Sequence, residues 1–434
     1  MTVSAAFEAF LDNIKVSTER AKKISNRYRE ITKKLNQRFR ETDSDSAYCL
    51  QVGSYGRYTG VKGISDLDML YIMPDSLWGR YRDDPSGLLS EVKEALMERY
   101  PNTDIRKDTF VVVVAFTDFK FEIQPVFVCQ EENDSVDSYK YPTTKDGGSY
   151  KLTKPRHEQK AMTEFRKNHG THHRLLCKML RAWKNNVGLS IGGLLIDTLA
   201  YNFCTSHKEF DDCTLSSFDG LAIAFFQYLK DEPKQEYYLA LGSNQQVKVK
   251  SPFQAKAKKA YKECKMAQET TSSRARHDHW RNVFGKDFPK ADTSLQRNNF
   301  SDTEKFIEDL HLVNVKYDLS INCIVVRDGY RPRLLREILS SHERVLRVRS
   351  LDFYIETTNV PEPYDVKWKV LNIGEEAERR NCIRGEIISS NNKDQTRRRE
   401  SSDFFGDHYV ECYILKENVV VARDRISVPI SHNE

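Results

Sequence analysis

Asp66 and Asp68 stand one residue apart in the apolar run DLDMLYIMP, where a strand aims both carboxylates at one face. Like charges held that close repel unless a cation lies between them. A third acid, Glu122, sits between Phe121 and Ile123 in KFEIQPVF, where leaving it buried and unpaired would be costly. Three carboxylates on neighbouring strands make a cage of hard oxygen ligands for two magnesium ions, with manganese as the alternative. Ions held this way stabilise the attacking and leaving oxygens of an in-line phosphoryl displacement. Upstream, Gly53 and Ser54 in QVGSYGRYTG predict a tight turn whose amides and hydroxyl can cradle a triphosphate, with Gly56 and Gly60 admitting close backbone approach. A D-x-D pair alone is common in surface turns. The glycine-serine pair, the spacer, the D-x-D strand and a later acid-bearing strand together are far more specific.

These residues need a sheet, and the surrounding pattern supplies one. DLDMLYIMP reads as a strand stopped by Pro74, and TFVVVVAF as a strand buried on both faces, followed by KFEIQPVFV. GLLSEVKEALMERY reads as a helix, and the first forty residues as one amphipathic helix carrying Phe7, Phe10, Leu11, Ile14, Ile24, Tyr28 and Ile31. From about residue 157 the character turns helical, through HHRLLCKMLRAWKNN, GGLLIDTLAYNFC and DGLAIAFFQYLKD. FGKDFPKADTSLQRNNFSD reads as a linker. Beyond it, VKYDLSINCIVV, VLRVRSLDFYIETT, YDVKWKVLNIG, HYVECYILKENVVVA and RISVPI are short alternating strands. The expected organisation is α+β: a catalytic core over 1–160, a helical nucleotide-binding domain over 161–291, and a β-rich domain over 304–434.

Composition narrows the class of protein and goes no further. At 434 residues, 39% hydrophobic and 30% charged, the chain suits a soluble multidomain protein. No apolar run reaches the length of a membrane span, and the N-terminus lacks the features of a secretory signal. Nine cysteines scattered singly predict reduced thiols and a cytoplasmic location. A net charge of +5 permits nucleotides or nucleic acid as ligands without requiring them.

The segment GSYGRYTGVKGISDLDML resembles the signature of the polymerase-β-like nucleotidyltransferases. More narrowly, it is similar to the bacterial CD-NTases, relatives of oligoadenylate synthase and cyclic GMP-AMP synthase. CKMLRAWKNN and W-x-x-V-FG-x-x-FP extend the resemblance over roughly the first two-thirds of the chain. It implies a polymerase-β-like core in which Asp66 and Asp68 ligate both metal ions, and Glu122 completes the site and helps deprotonate the attacking hydroxyl. It also implies that Gly53 and Ser54 hold the triphosphate, and that Arg181, with Lys178 and Lys184, meets the donor's phosphates. The bare reading of those three cations is a solvated helix face. The third acid is Glu where Asp is commoner, and Gly193 in GGLLID stands where relatives often carry serine. The implied activity joins ATP and other NTPs into a cyclic oligonucleotide for antiphage defence, releasing pyrophosphate and activating a downstream effector. The alternatives are a terminal nucleotidyltransferase acting on RNA or protein, and a catalytically silent nucleotide sensor.

WKVLNIG and RGEI, with the strands around them, resemble the AGS-C domain, the nucleotide-sensor domain at the C-terminus of some bacterial nucleotidyltransferases, which implies a nucleotide ligand there. Trp368, Asn372, Glu376, Arg384 and His408 are candidates for a base-stacking, phosphate-binding pocket there; for any one of them, a core or surface role is the plain alternative. HGTHHR aligns His169 with His172 or His173, and RARHDHW offers His277 and His279. Neither has a third ligand, so the first is expected to be an exposed loop or helix start. KAKKAYKECK reads as a solvated helix face, with a nucleic-acid activator as the other reading.

Overall fold

The computed structural model of the protein describes residues 1–129, 138–291 and 303–431, apart from residues 328, 348 and 404. Residues 292–302 of the predicted linker lie outside the described residues. The chain forms two compact units, one of residues 2–182 and 192–261, the other of Met1, residues 183–191 and residues 262–434. The three-part division expected from sequence cuts across these units.

The first unit opens with two helices, α1 (Val3–Asn13) and α2 (Thr18–Arg40), where the periodicity predicts one. Ser17 caps α2, its hydroxyl accepting from Arg20 N at 3.2 Å, so the apolar period runs on across a break set by a cap. A seven-stranded sheet follows: β1 (Cys49–Gln51), β2 (Asp66–Ile72), β3 (Asp104–Lys107), β4 (Val112–Ala115), β5 (Lys120–Val128), β6 (Tyr139–Thr143) and β7 (Ser149–Thr153). The order is β1-β2-β5-β4-β3, with β6 pairing β5 and β7. Of these pairings only β2–β5 is parallel. The one-turn helix α3 (Gly53–Gly56) joins β1 to the loop before β2.

Alternation along β2 decides which side chains face the chemistry. Leu67, Met69 and Tyr71 enter a core with Ile24, Ile31 and Leu35 of α2 and with Leu88 and Val92 of α4 (Pro85–Arg99). Asp66 and Asp68 therefore take the other face. The helical run resolves as α5 (Pro155–His169), α6 (His172–Asn186), α7 (Gly193–Ser206) and α8 (Phe218–Asp231). His172 and His173 do start a helix, but they are buried rather than exposed. Both pack on Phe165, with ring centroids 5.7 and 4.4 Å from it, and burial pushes the His173 imidazole down to about 3. They are neutral core histidines.

In the second unit, α9 (Gln254–Glu269) ends and α10 (Ser273–Phe284) follows. Phe288, in the start of the predicted linker, is buried and stacked on Trp280 and Phe284, so this stretch is packed structure. Two sheets then share one core. The four-stranded sheet includes Leu319–Val326, Ser350–Thr358 and Arg397–Ser401; the five-stranded sheet includes Asp365–Leu371, Arg384–Ile388, Gly406–Lys416 and Val419–Ile430. The last two form a hairpin about Glu417 and Asn418, both at positive φ (49° and 63°), the conformation a two-residue type I′ turn requires. The segment read as a lone strand plus RISVPI is this hairpin. Trp368 is fully buried and donates to Gln395 O at 3.0 Å, and Glu376 pairs with Arg379 and Arg380; neither is placed to stack a base.

Candidate active site

Register brings the acids together. Asp68 is the Cα partner of Glu122 across the parallel β2–β5 pair, and Asp66 is the partner of Lys120. Adjacent strands run about 4.8 Å apart, so three carboxyl-bearing positions occupy one patch of a sheet whose other face is core. Lys120, which shares the Glu122 face, holds its ammonium 3.9 Å from Asp66 Oδ1. Sequence reading passed over Lys120, although its spacing of two from Glu122 is the signal that would have found it.

The Gly53 turn is built against Asp68. Val52 N donates to Asp68 O at 3.0 Å, and Gly53 takes φ +64°. A Cβ on Gly53 would stand 1.8 Å from Asp68 Oδ2, so any other residue must displace that carboxylate. Gly53→Ala is expected to push the Asp68 carboxylate aside and cut turnover about 100-fold, the scale of an ångström's misplacement. The left-handed backbone adds a cost of roughly 1–2 kcal/mol. Steady-state kinetics beside a thermal melt checks this; wild-type kcat in a folded variant would show that Asp68 does not act from this position.

The donor set of three carboxylates fits hard divalent cations, which prefer oxygen. Among the described residues, no three His, Cys, Asp or Glu side chains already converge as ligands of one ion. The backbone sets the three acids on one patch, and a cation held there would have to gather their rotamers.

Beneath the turn lies a buried ionic network that the sequence did not disclose. Arg57 Nε donates to Asp197 Oδ2 at 2.8 Å and Arg57 Nη1 to Glu158 Oε2 at 2.9 Å. Arg181 grips Asp197 bidentately, at 2.7 and 3.0 Å, and also donates to Cys177 O and Gly193 O at 3.1 Å each. Thr59 Oγ1 lies 3.1 Å from Asp197 Oδ2 and 3.2 Å from Ser54 O, tying the network to the turn. Burial alone would raise the Asp197 carboxyl, but Arg181 and Arg57 outweigh it and hold the group down at about 2. Glu158 goes the other way: burial lifts it above the ordinary range despite Arg57.

The three cations expected on phosphates separate here. Four of the five guanidinium N–H groups of Arg181 point to Asp197, Cys177 and Gly193, so it stands as a residue that positions α7 and the turn. Gly193 supplies a backbone carbonyl to that guanidinium, and a Cβ at this position would stand 3.3 Å from Arg181 Nη2. Lys178 is half-buried, and burial together with Lys15, Arg174 and Arg181 pushes its ammonium below the usual lysine range. Arg174 lies over the Tyr58 ring of the turn, 5.0 Å from its centroid. Lys178 follows Arg174 by one helical turn, and a cation crowded by cations is suited to an anion. Lys184 is buried and falls in the segment assigned to the other unit.

Residues 1–166 match the second messenger oligonucleotide or dinucleotide synthetase domain, and residues 301–431 match the adenylyl/guanylyl and SMODS C-terminal sensor domain. Curated proteins show no match. Among solved structures, CdnC of E. coli MS115-1 in complex with HORMA-deltaN superposes with a TM-score of 0.51 at 14% identity, covering 66% of this chain and 98% of that one. The same protein with ATP gives 0.50 at 15%, with the same coverage. At such identity the likeness is one of fold. No helix among the described residues is long and apolar enough to cross a membrane. With a synthetase domain bearing the aligned acids at one end and a sensor domain at the other, the chain belongs to the bacterial CD-NTases, nucleotidyltransferases that here carry a C-terminal AGS-C domain.

Proposed function

We propose that the protein joins nucleoside triphosphates, ATP among them, into a cyclic oligonucleotide second messenger, releasing pyrophosphate, in the cytoplasm and in the service of antiphage defence. The observation that carries this reading is the Asp68–Glu122 register with Gly53 seated on Asp68. Asp66, Asp68 and Glu122 would hold two magnesium ions, which when bound neutralise phosphate charge and stabilise the attacking and leaving oxygens. Gly53 and Ser54 offer backbone and hydroxyl groups to the triphosphate, and Lys178 adds charge beside them. Glu122, opposite Asp68, would accept the proton of the attacking hydroxyl. Arg57, Arg181 and Asp197 keep the turn at the height where its groups meet the phosphates. A downstream effector would read the product.

The test is to incubate the purified chain with each labelled NTP and with all four together, with magnesium or manganese and without nucleic acid, and to treat the products with phosphatase. Acceptor-free, phosphatase-resistant product is expected. Labelled product appearing only when RNA or a protein acceptor is supplied would replace this reading with terminal transfer.

A further inference from the structure

Two rungs of the β2–β5 pair carry opposite electrostatics. On one, Asp66 faces Lys120; on the next rung of the same face, Asp68 faces Glu122. Unlike charges opposite one another support a sheet, and like charges strain it. The first rung is therefore balanced by the protein itself, while the second calls for an added cation. The Lys120 ammonium stands 3.9 Å from Asp66 Oδ1, at the loose end of a direct ion pair. Both side chains are largely buried, so salt and water screen the pair poorly.

The backbone under this lysine is fixed. Lys120 N donates to Ser65 O at 2.9 Å, and Ser65 is buried, so the start of β5 is locked beside Asp66. The side chain above it is a flexible four-carbon stem. A second cation near the acids has no such freedom. Arg57, which feels the charge of Asp68, is committed to Glu158 and Asp197. Of the two, Lys120 is the one that can move.

Charge counting gives that mobility a role. Three acids less one ammonium leave the patch two negative charges. Two divalent ions on it would leave an excess of two positives, which a nucleoside triphosphate offsets. We propose that Lys120 is a positioning residue for the metal site: its ammonium is a resident counter-ion on Asp66 that weakens the hold of the acids on divalent ions until a triphosphate arrives and draws the ammonium away. The proposal rests on the reading of the three acids as a two-metal site. It adds the order in which that site fills, metal with nucleotide rather than metal first.

The experiment titrates the full chain with Mn2+ alone and counts the free ion by electron paramagnetic resonance, for wild type, Lys120→Met and Lys120→Arg. Lys120→Met is expected to bind Mn2+ about fivefold more tightly, the effect of one unit charge 4 Å away even under water-like screening. Lys120→Arg keeps the charge and should match wild type. A lysine that only braced the strand would lower the affinity or leave it unchanged when lost, so a gain is the signature. Adding Asp68→Asn to Lys120→Met should weaken binding again, which places the ion on the acids. In thermal melts at one Mn2+ concentration, Lys120→Met should gain more than wild type. An ATP analogue with a methylene bridge between its α- and β-phosphates, which cannot react there, should close that gap. If Lys120→Met does not fold, Lys120→Gln carries the same expectations. Unchanged or lowered Mn2+ affinity in the folded variant would overturn the role. So would a Lys120→Arg protein that behaves like Lys120→Met, or a gap that the analogue leaves untouched. NTP turnover by wild type with Mn2+ affinity unmoved by the substitution would remove the counter-ion and leave the synthetase reading intact. Tighter Mn2+ binding by the variant of a chain that turns over no NTP would do the reverse.

Discussion

Asp68→Asn is expected to lower NTP turnover by about 100- to 1,000-fold or more, the range for removing one transition-state stabiliser in an enclosed polar site. At 1.36 kcal/mol per tenfold, that is roughly 3–4 kcal/mol of barrier. The substitution keeps side-chain shape and removes one negative charge. Asp68 faces Glu122 directly across the parallel pair, and like charges so placed destabilise a sheet by roughly 0.2–1 kcal/mol. The variant should therefore melt no lower than wild type in the absence of divalent ions. Magnesium should raise the melting temperature of wild type, since a ligand that binds only the native state stabilises it, and should do so much less for the variant. This combination, activity lost while stability is kept, separates a catalytic carboxylate from a structural one. Wild-type turnover by Asp68→Asn, or a melting temperature depressed by several degrees, would remove Asp68 from the site.

The legible part of this protein was the part governed by local periodicity and local spacing. β2 and β5 announce themselves by alternation, and the acids by standing out of apolar runs. The pairing of Asp68 with Glu122 rather than with a residue one or two along is a matter of register, which no single strand contains. The ionic network was hidden for a different reason. Arg57, Glu158, Arg181 and Asp197 come from four separate segments; the first three look locally like solvated charges, and Asp197, the lone charge in the apolar run GGLLIDTLAYNFC, carries no mark of its partners. A helical face bearing Lys178, Arg181 and Lys184 carries no mark showing that its middle member is turned inward to a buried aspartate. In the C-terminal domain, Asn372, Arg384 and His408 do line one cavity, while Trp368, the most conspicuous candidate for stacking, is spent on the core. Size and apolarity cannot distinguish a base platform from a core tryptophan.

Asp197→Ala is expected to be the most destabilising single change in the first unit, by about 3–5 kcal/mol, the usual result of removing one partner from a buried ion pair. The aspartate is fully buried and meets two guanidinium groups that have no water to turn to. Deleting it leaves Arg181 with carbonyls alone and Arg57 with Glu158 alone. Asp197→Ala combined with Arg181→Met should recover part of the loss, because a buried pair replaced whole by apolar groups is often tolerated. The network also carries a pH signature. The Asp197 carboxyl titrates at about 2 in the folded protein against an unfolded value of 3.8. A depressed folded value means stability that is present above about 3.8 and lost as pH falls through about 2. The shift corresponds to about 2 kcal/mol, so wild type should lose stability across this window more steeply than Asp197→Ala does. Functionally, loss of the anchor under Ser54 and Thr59 should raise the KM for NTP more than it lowers kcat, since the turn is proposed to meet phosphates and not the reacting hydroxyl. Urea melts between pH 2 and 7, with kinetics at neutral pH on the folded fraction, check all three. Parallel acid limbs for the two proteins, together with an unchanged KM, would reduce the network to ordinary packing with no hold on the site above it.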